Sequence, residues 1–232
     1  SFTGSLPGAN LAVLSACEAM GFEPVIITSV SASNFGALKY KDFSWLDMEY
    51  ELTQLPNDYF KHRSIAASVG KRRDSGIGLN NNAIRDILSV LEKYQNRYGD
   101  REFEVLYRPD KYLSYYIDRR MEIYDEKSDG APYDLFINVG GGVASIGYYA
   151  GIKKVSGFIS ADSLKNLYNE KLINDCVMHR FSAFENNPVP AINIVDIESL
   201  VKGSLPFITL DSEIFDSSKI VIGEGFLFSE EK

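Results

Sequence analysis

The sequence contains few of the side chains that build metal sites. Among its 232 residues there are two cysteines, Cys17 and Cys176, and two histidines, His62 and His179. The cysteines lie far apart and show none of the short spacings of zinc ligands, which come in sets of about four. We therefore expect no metal site, and we interpret both cysteines as buried free thiols.

Long apolar segments are missing as well. No run of about eighteen apolar residues occurs without a charge, and no charged and then apolar leader precedes a small-residue cleavage site. The sequence thus predicts neither a membrane span nor a signal peptide within this chain.

Positive charge is scarce relative to negative charge. The chain has 24 lysines and arginines against 32 aspartates and glutamates, which gives a net charge of −8. Nonspecific binding to nucleic acid depends on an excess of positive charge on the protein. We therefore expect no nucleic acid partner, whereas a local basic patch remains compatible with an anionic ligand.

Apolar, β-branched runs alternate with helical patterns along the chain. Residues 25–30 are typical of a buried parallel strand, and a helix predicted over residues 7–20 precedes them, with Gly21 as its stop. Ser44 and Asp47 have the spacing of a capping box at the start of another helix. Further strands, separated by helices, are predicted over residues 65–69, 103–107, 135–139, 155–159, 190–195 and 219–222.

Strands that alternate with helices indicate parallel βαβ units with right-handed crossovers. We therefore predict an α/β fold: a mostly parallel, doubly wound, Rossmann-like sheet with helices on both faces, formed as one domain by residues 1–232. The charged, turn-rich segment 126–132 either separates two lobes of this domain or is an ordinary loop. In such sheets ligands bind at the carboxyl ends of the strands, so the loops there are candidate sites.

The first candidate loop comprises residues 1–10 and leads into the first predicted helix. Thr3, Gly4 and Ser5 combine hydroxyl groups with a flexible backbone, and the first amides of a helix attract negative charge. The loop is therefore a candidate cradle for an anion. An alternative without a ligand is that Ser5 caps the helix and Gly4 turns the chain.

The second candidate loop follows the strand predicted over residues 25–30. It contains Ser31, Ser33 and Asn34, and serines two positions apart along a strand share one face. Hydroxyl groups on one face suit a polar ligand. A solvated strand end rich in turn-forming residues is the alternative interpretation.

The third candidate loop carries a local run of positive charge in an otherwise acidic chain. Arg72 and Arg73 lie between a predicted strand and a predicted helix. Guanidinium groups bind carboxylates in a bidentate manner, which suits an anionic ligand. Charge runs are also typical of solvated surfaces, so this alternative stays open.

The fourth candidate loop is the glycine run Gly140, Gly141 and Gly142, which follows the strand predicted over residues 135–139. Glycine lets backbone amides approach a ligand or another chain segment without a Cβ in the way. Binding and close chain packing both explain the run. Its spacing matches neither a P-loop nor the dinucleotide fingerprint, so we expect no nucleotide and no other cofactor.

Several blocks of the sequence, taken in order, resemble the poly-γ-glutamate system protein family. The blocks are SFTGSLPGANLAVLSACEAMG, PVIITSVSASNFGA, FSWLDMEYEL, RSIAASVG, INVGGGVASIG and IGEGFLF. The resemblance covers most of the chain. It implies a role in synthesis or export of a capsule polymer in the bacterial cell envelope, on the extracytoplasmic face, with the anionic γ-glutamyl polymer and other capsule-synthesis proteins as partners.

The same resemblance implies a membrane anchor and a strand upstream of the SFTGS block, neither of which this chain contains. We hypothesise that the upstream segment is cut off before Ser1 and stays bound as a separate chain. A free α-amine, with a pKa of about 7.7 to 8.0, then serves as general base for the Ser1 hydroxyl. Asn10, Asn34 or backbone amides are expected to stabilise the oxyanion, and Arg72 and Arg73 to hold substrate carboxylates.

The predicted reaction is amide hydrolysis or transpeptidation at γ-glutamyl amide bonds, through an acyl-enzyme. A shortened chain or a protease nick in a loop explains a start at Ser1 without any self-processing. The alternative function is a noncatalytic module that binds poly-γ-glutamate or scaffolds other capsule proteins.

Overall fold

The computed structural model describes residues 1–31, 43–148, 152, 155–197 and 200. Ser33, Asn34 and the strand predicted over residues 219–222 lie outside the described residues. Seven strands are found in the described part, in chain order: β1 (Phe2–Thr3), β2 (Ile26–Ser31), β3 (Ser64–Gly70), β4 (Glu104–Leu106), β5 (Phe136–Val139), β6 (Gly157–Ile159) and β7 (Ala191–Ile194).

The helices of the described part alternate with these strands. They are α1 (Pro7–Met20), α2 (Trp45–Thr53), α3 (Asn81–Tyr98), α4 (Leu113–Ser128), α5 (Val143–Ile146), α6 (Ala161–Asn169) and α7 (Val177–Ser182), with a 3₁₀ turn at Pro56–Asp58. Strands β1 to β4 pair in parallel in that order, and β5 pairs in parallel with β7, which pairs antiparallel with β6.

Ser1 joins these two groups of strands. Its amine donates a hydrogen bond to the Ile137 carbonyl at 2.7 Å, and the Val139 amide donates to the Ser1 carbonyl at 2.9 Å. The strands therefore run in the order β4-β3-β2-β1-β5-β7-β6. The chain winds outward from β1 on one side and returns to β5 on the other, so the switch point of the topology lies between β1 and β5.

Both faces of the sheet are covered by helices, which confirms the predicted α/β class. Neighbouring residues of β2 point to opposite faces: Ile26 packs in a core with Leu14 and Ile87, and Ile27 in a core with Ile117 and Phe181. A strand buried on both faces explains why β2 reads as a continuous apolar run rather than as an alternating one.

The local signals at the helix ends are also confirmed. Helix α1 ends where Gly21 adopts a left-handed conformation with φ of 68°. Ser44 and Asp47 form the predicted capping box at the start of α2, with each side chain bonded to the other residue's amide. Segment 126–132 contains the end of α4 and a left-handed Asp129 with φ of 50°.

The two cysteines are buried free thiols, as expected. Burial raises the pKa of Cys176 to about 12 and also raises the pKa of Cys17, so both thiols stay protonated and unreactive at neutral pH. Among the described residues no cluster of three or more histidine, cysteine or acidic side chains is placed to hold a metal ion. No helix in this part of the chain is long and apolar enough to cross a membrane.

Candidate functional site

The first candidate site is centred on Ser1, at the middle of the sheet. The Ser1 side chain points to the face covered by α5, where its Oγ lies 2.5 Å from the Oγ of Ser145. Burial, and next the positive charge of Arg120, lower the pKa of the Ser1 amine from 8.0 to about 4. In a chain that begins at Ser1, the amine is therefore neutral at neutral pH, the form that can accept a proton.

Ser145 is a site residue that sequence reasoning did not place beside Ser1. It lies on the short helix α5, directly after the glycine run, and is buried. The two serines are 144 positions apart in the chain. They meet because β1 and β5 are neighbours in the sheet, and a sequence pattern carries no signal for that pairing.

The loop after β1 is tightly tied to its surroundings. Thr3 Oγ1 and Ser5 Oγ are 3.0 Å apart, and the Gly4 amide donates to the Ser29 carbonyl at 2.9 Å. A Cβ on Gly4 would lie 2.2 Å from the Val30 carbonyl oxygen, so only glycine fits. Close approach of the two strands thus explains Gly4.

The alternative that Ser5 caps α1 is wrong. The residue at the cap position is Leu6, and within the described chain no side chain makes a capping hydrogen bond there. Instead, Thr3 and Ser5 leave a pair of hydroxyl groups at the carboxyl end of β1, next to the switch point of the sheet.

Asn10 occupies a position that does not favour the predicted oxyanion role. The side chain is fully buried, and its Nδ2 donates to the Thr3 carbonyl at 2.7 Å. Its atom without a partner in the described structure is the acceptor Oδ1. An oxyanion needs a donor, so Asn10 is better explained as support for the first loop.

The glycine run lies at the carboxyl end of β5, opposite Thr3. Gly140 has φ of 93°, and a Cβ there would lie 2.5 Å from Thr3 Cγ2, so close packing of β1 against β5 requires this glycine. Gly142 has no such constraint, because a Cβ there would first meet Ser145 Oγ at 3.6 Å. Of the run, Gly141 and Gly142 therefore remain the candidates for contact with a ligand.

A buried polar cluster, formed by Ser29, Ser68, Asp74 and Arg120, lies on the same face of the sheet as the Ser1 side chain. Both serine hydroxyls donate to Asp74 Oδ1, at 3.1 and 2.7 Å. Arg120 donates to Asp74 Oδ2 from Nε at 3.0 Å and from Nη2 at 2.8 Å. Arg120 Nη2 also donates to both serines at 3.0 Å.

Arg120 is the member of the buried cluster with spare hydrogen-bonding capacity. The side chain is fully buried, and its Nη1 has no partner among the described residues. Its positive charge is, after burial, the second cause of the lowered pKa of the Ser1 amine. Sequence reasoning missed Arg120, although it is four positions from both Tyr116 and Tyr124 and so lies on the buried face of α4.

The two arginines of the predicted cationic loop point outward, whereas Asp74 and Ser75, which follow them, are buried. Arg72 and Arg73 are exposed, and the Arg73 guanidinium carbon lies 5.4 Å from the centre of the Tyr112 ring. Left-handed backbone at Lys71, Arg73 and Asp74, with φ of 65°, 57° and 63°, turns the Asp74 carboxylate inward to Arg120. The two arginines thus offer exposed cations near the carboxyl edge, as predicted.

Of the two candidate serines of the second loop, the structure describes Ser31 but not Ser33. Ser31 is described and buried at the end of β2, on the same face of the strand as Ser29. The predicted contributions of Ser33 and Asn34 concern residues outside the described part.

A buried acid to which the sequence assigns no role in a site lies on α2. Glu49 is fully buried and accepts hydrogen bonds from Ser64 Oγ at 3.0 Å and from Tyr94 Oη at 2.9 Å. Burial raises its pKa from 4.5 to about 7. Because both oxygens are held by internal partners in a closed core, we interpret Glu49 as structural.

We expect the raised pKa of Glu49 to make stability fall as pH rises. The folded protein binds this proton more tightly than the unfolded chain, so the stabilisation is present below pH 4.5 and lost as pH rises through about 7. In urea unfolding, the free-energy difference between wild type and Glu49→Gln should fall by roughly 3 kcal/mol across that interval. Glu51→Gln, an exposed neighbour, is the control. A difference that does not change with pH would contradict the assignment.

Comparison of the chain with protein family models, with curated proteins and with solved structures finds no match in any of the three. The resemblance to the poly-γ-glutamate system protein family therefore stays a prediction that depends on the sequence blocks alone.

Proposed function

We propose that this protein, in the form that begins at Ser1, is an amide hydrolase or transpeptidase that acts on γ-glutamyl amide bonds with Ser1 as nucleophile. The observation that carries the proposal is the arrangement at Ser1: a hydroxyl 2.5 Å from Ser145 Oγ, beside an amine whose pKa is lowered to about 4. The substrate class comes from the sequence resemblance.

The chemistry needs no side-chain base. The neutral Ser1 amine takes the proton of its own hydroxyl while Oγ forms a bond to the amide carbon, and the carbonyl electron pair moves onto oxygen. Collapse of this intermediate expels the amine of the substrate, which leaves with the proton held by the Ser1 amine. An acyl ester on Ser1 remains, and water or a second amine then attacks it and frees Oγ.

Two neighbours support this step. Ser145 Oγ orients the Ser1 hydroxyl through their hydrogen bond. Burial, and next the charge of Arg120, lower the pKa of the amine and keep it neutral, and Arg120 Nη1 is a donor without a partner in the described structure. We therefore assign stabilisation of the oxyanion to Arg120 Nη1 in place of Asn10.

Self-processing is tested by the intact mass of the protein made from its complete gene. We expect two masses, one of a polypeptide that begins at Ser1 and one of the upstream segment cut from it. Ser1→Ala should leave the two joined, and Ser1→Thr, which keeps a hydroxyl, should restore processing at least in part. A break that forms equally well in Ser1→Ala would contradict self-processing.

The resemblance also gives the proposed setting. It favours the extracytoplasmic face of the bacterial envelope, with the anionic polymer and other capsule-synthesis proteins as partners and the upstream segment as a bound second chain. In this setting the free α-carboxylates of the polymer meet the exposed Arg72 and Arg73, because guanidinium groups pair with carboxylates.

A noncatalytic polymer-binding or scaffolding module is the second candidate. The observation that favours it is the pair of exposed arginines at the carboxyl edge, since binding there needs nothing from Ser1. If this second function is correct, Ser1→Ala leaves polymer binding unchanged and there is no turnover to lose. If the protein is an enzyme, Ser1→Ala abolishes turnover and retains polymer binding.

Charge reversal at the two arginines tests the binding surface in either case. We expect the double variant Arg72→Glu with Arg73→Glu to bind poly-γ-glutamate at least about tenfold more weakly than the wild type, as measured by calorimetry. The difference in affinity should be smaller at high salt, because salt screens exposed charges. Arg85→Glu with Arg101→Glu is the matched control, since both residues are exposed and the change in net charge is the same. Equal loss in the two variants would show that only net charge matters.

A further inference from the structure

A second cationic loop lies beside the loop of Arg72 and Arg73. It comprises residues 107–112, directly after β4, and contains Arg108 and Lys111, which are both exposed. Strands β3 and β4 are parallel neighbours, so the loops that follow them leave the sheet at the same edge. We call the four exposed cations Arg72, Arg73, Arg108 and Lys111 the cationic edge.

The cationic edge is strongly positive for an acidic protein. Its two loops, residues 71–73 and 107–112, contain five lysines and arginines and a single acid, Asp110, whereas the whole chain has a net charge of −8. Within the described chain no carboxylate pairs with any of the three arginines of the edge. These guanidinium groups are therefore open to an anionic partner.

Buried anchors hold the backbone of both loops. After the first loop, the Asp74 carboxylate is bound by its partners in the buried cluster. In the second loop, the hydroxyl of the buried Tyr116 donates to the Arg108 carbonyl at 2.7 Å and accepts from the Arg108 amide at 2.9 Å. The contact of Arg73 with the exposed Tyr112 ring joins the two loops. Both loops are thus ordered before a ligand binds, which lowers the entropy cost of binding.

The number of guanidinium groups indicates a partner with several carboxylates. A guanidinium group pairs with one carboxylate in the bidentate geometry, so one small anion would occupy only a part of the cationic edge. A polymer with a carboxylate on each residue supplies these groups at regular intervals. Nucleic acid carries repeated anions too, but the net charge of −8 repels so densely charged a chain outside the edge.

The distance of the cationic edge from Ser1 sets a minimum length for the substrate. Neighbouring strands lie about 4.8 Å apart, so in the order β1-β2-β3-β4 the strands β3 and β4 are roughly 10 and 14 Å from β1. One γ-linked glutamate spans roughly 6 Å when extended, as standard bond lengths imply. A substrate with one glutamate at Ser1 therefore does not reach the cationic edge, whereas a chain with several further residues does.

We propose that the cationic edge binds an extended polycarboxylate chain across both loops, so that the protein acts on the polymer rather than on small γ-glutamyl amides. Arg72 and Arg73 bind the carboxylates nearer to Ser1, and Arg108 and Lys111 bind those farther along the chain. The inference rests on the proposed function for the position of the cleaved bond. Binding at the edge itself needs nothing from Ser1.

Calorimetry with γ-linked glutamate oligomers of two and ten residues tests the edge. The protein carries Ser1→Ala, so that binding is measured without turnover. We expect Arg108→Gln with Lys111→Gln to bind the ten-residue oligomer about fivefold more weakly and the two-residue oligomer no more than about twofold more weakly, because only the long chain reaches both loops. Lys61→Gln with Arg101→Gln is the matched control, since these exposed residues precede the same two strands at the opposite edge of the sheet.

The outcomes separate this inference from the proposed function. Equal affinities of the two double variants for the ten-residue oligomer would overturn the inference, because only net charge would then matter. A single-stranded DNA of ten nucleotides that binds as tightly as the glutamate oligomer would overturn the polycarboxylate assignment. Wild-type turnover of small γ-glutamyl amides as fast as of the polymer would overturn the inference and leave the proposed function standing. Length-dependent binding without any turnover supports the cationic edge and overturns only the enzyme.

Discussion

Replacement of Ser1 with alanine is expected to lower kcat for hydrolysis of γ-glutamyl amide bonds by at least about 10³-fold, because the substitution removes the atom that forms the acyl-enzyme. The KM should change little, since in the proposed function the exposed Arg72 and Arg73, not Ser1, are assigned to the substrate carboxylates. The measurement is release of free amine from poly-γ-glutamate at saturating substrate.

Ser145→Ala is the informative companion variant. It removes only the hydrogen bond that orients Ser1 Oγ, so we expect a loss of about tenfold to a hundredfold in kcat, and processing at Ser1 that is slower than in the wild type but still occurs. Full activity in Ser1→Ala would contradict the assignment of Ser1 as the nucleophile. If Ser145→Ala were inactive while Ser1→Ala stayed active, the nucleophile would be Ser145.

The second large effect concerns stability rather than turnover. Arg120→Met should lower the free energy of unfolding by about 3 to 5 kcal/mol, because the Asp74 carboxylate then stays buried without its partner. For a chain of this size the loss corresponds to a decrease in Tm of roughly 10 °C. Thermal unfolding followed by circular dichroism measures it.

The neighbouring arginine provides the control. Arg119 pairs with Glu104, Glu122 and Glu126 at the surface, where ion pairs contribute about 1 kcal/mol or less. Arg119→Met should therefore cost much less than Arg120→Met. The double variant Arg120→Met with Asp74→Asn should recover part of the loss, since it leaves no unpaired charge. Equal losses at Arg119 and Arg120 would contradict the importance of the buried cluster.

The parts of the fold that depend on local patterns were predictable. The bounds of α1 were predicted as residues 7–20 and are Pro7–Met20, because proline at the start and glycine at the end mark this helix. Strand β1 was not predicted within the chain, since two residues show no periodicity. The antiparallel direction of β6 depends on its pairing with β7, which no local signal encodes.

The candidate site was predictable only in part. The polar loops were found because parallel strands place their carboxyl ends at one edge of the sheet. The contacts of Ser1 with Ser145 and of Asp74 with Arg120 join residues 144 and 46 positions apart, and only the packed fold brings them together. Arg119 and Arg120 are the same residue type at adjacent positions. Only their positions around helix α4 make Arg120 buried and Arg119 partly exposed.

The most direct test of the central claim is to trap the acyl-enzyme. Protein that begins at Ser1 is mixed with poly-γ-glutamate, quenched in acid within seconds and digested, and the amino-terminal peptide is analysed by mass spectrometry. We predict a γ-glutamyl adduct in ester linkage to Ser1 Oγ, absent in Ser1→Ala. Turnover of the polymer with an adduct on another residue, or with none at Ser1, would contradict the proposed mechanism.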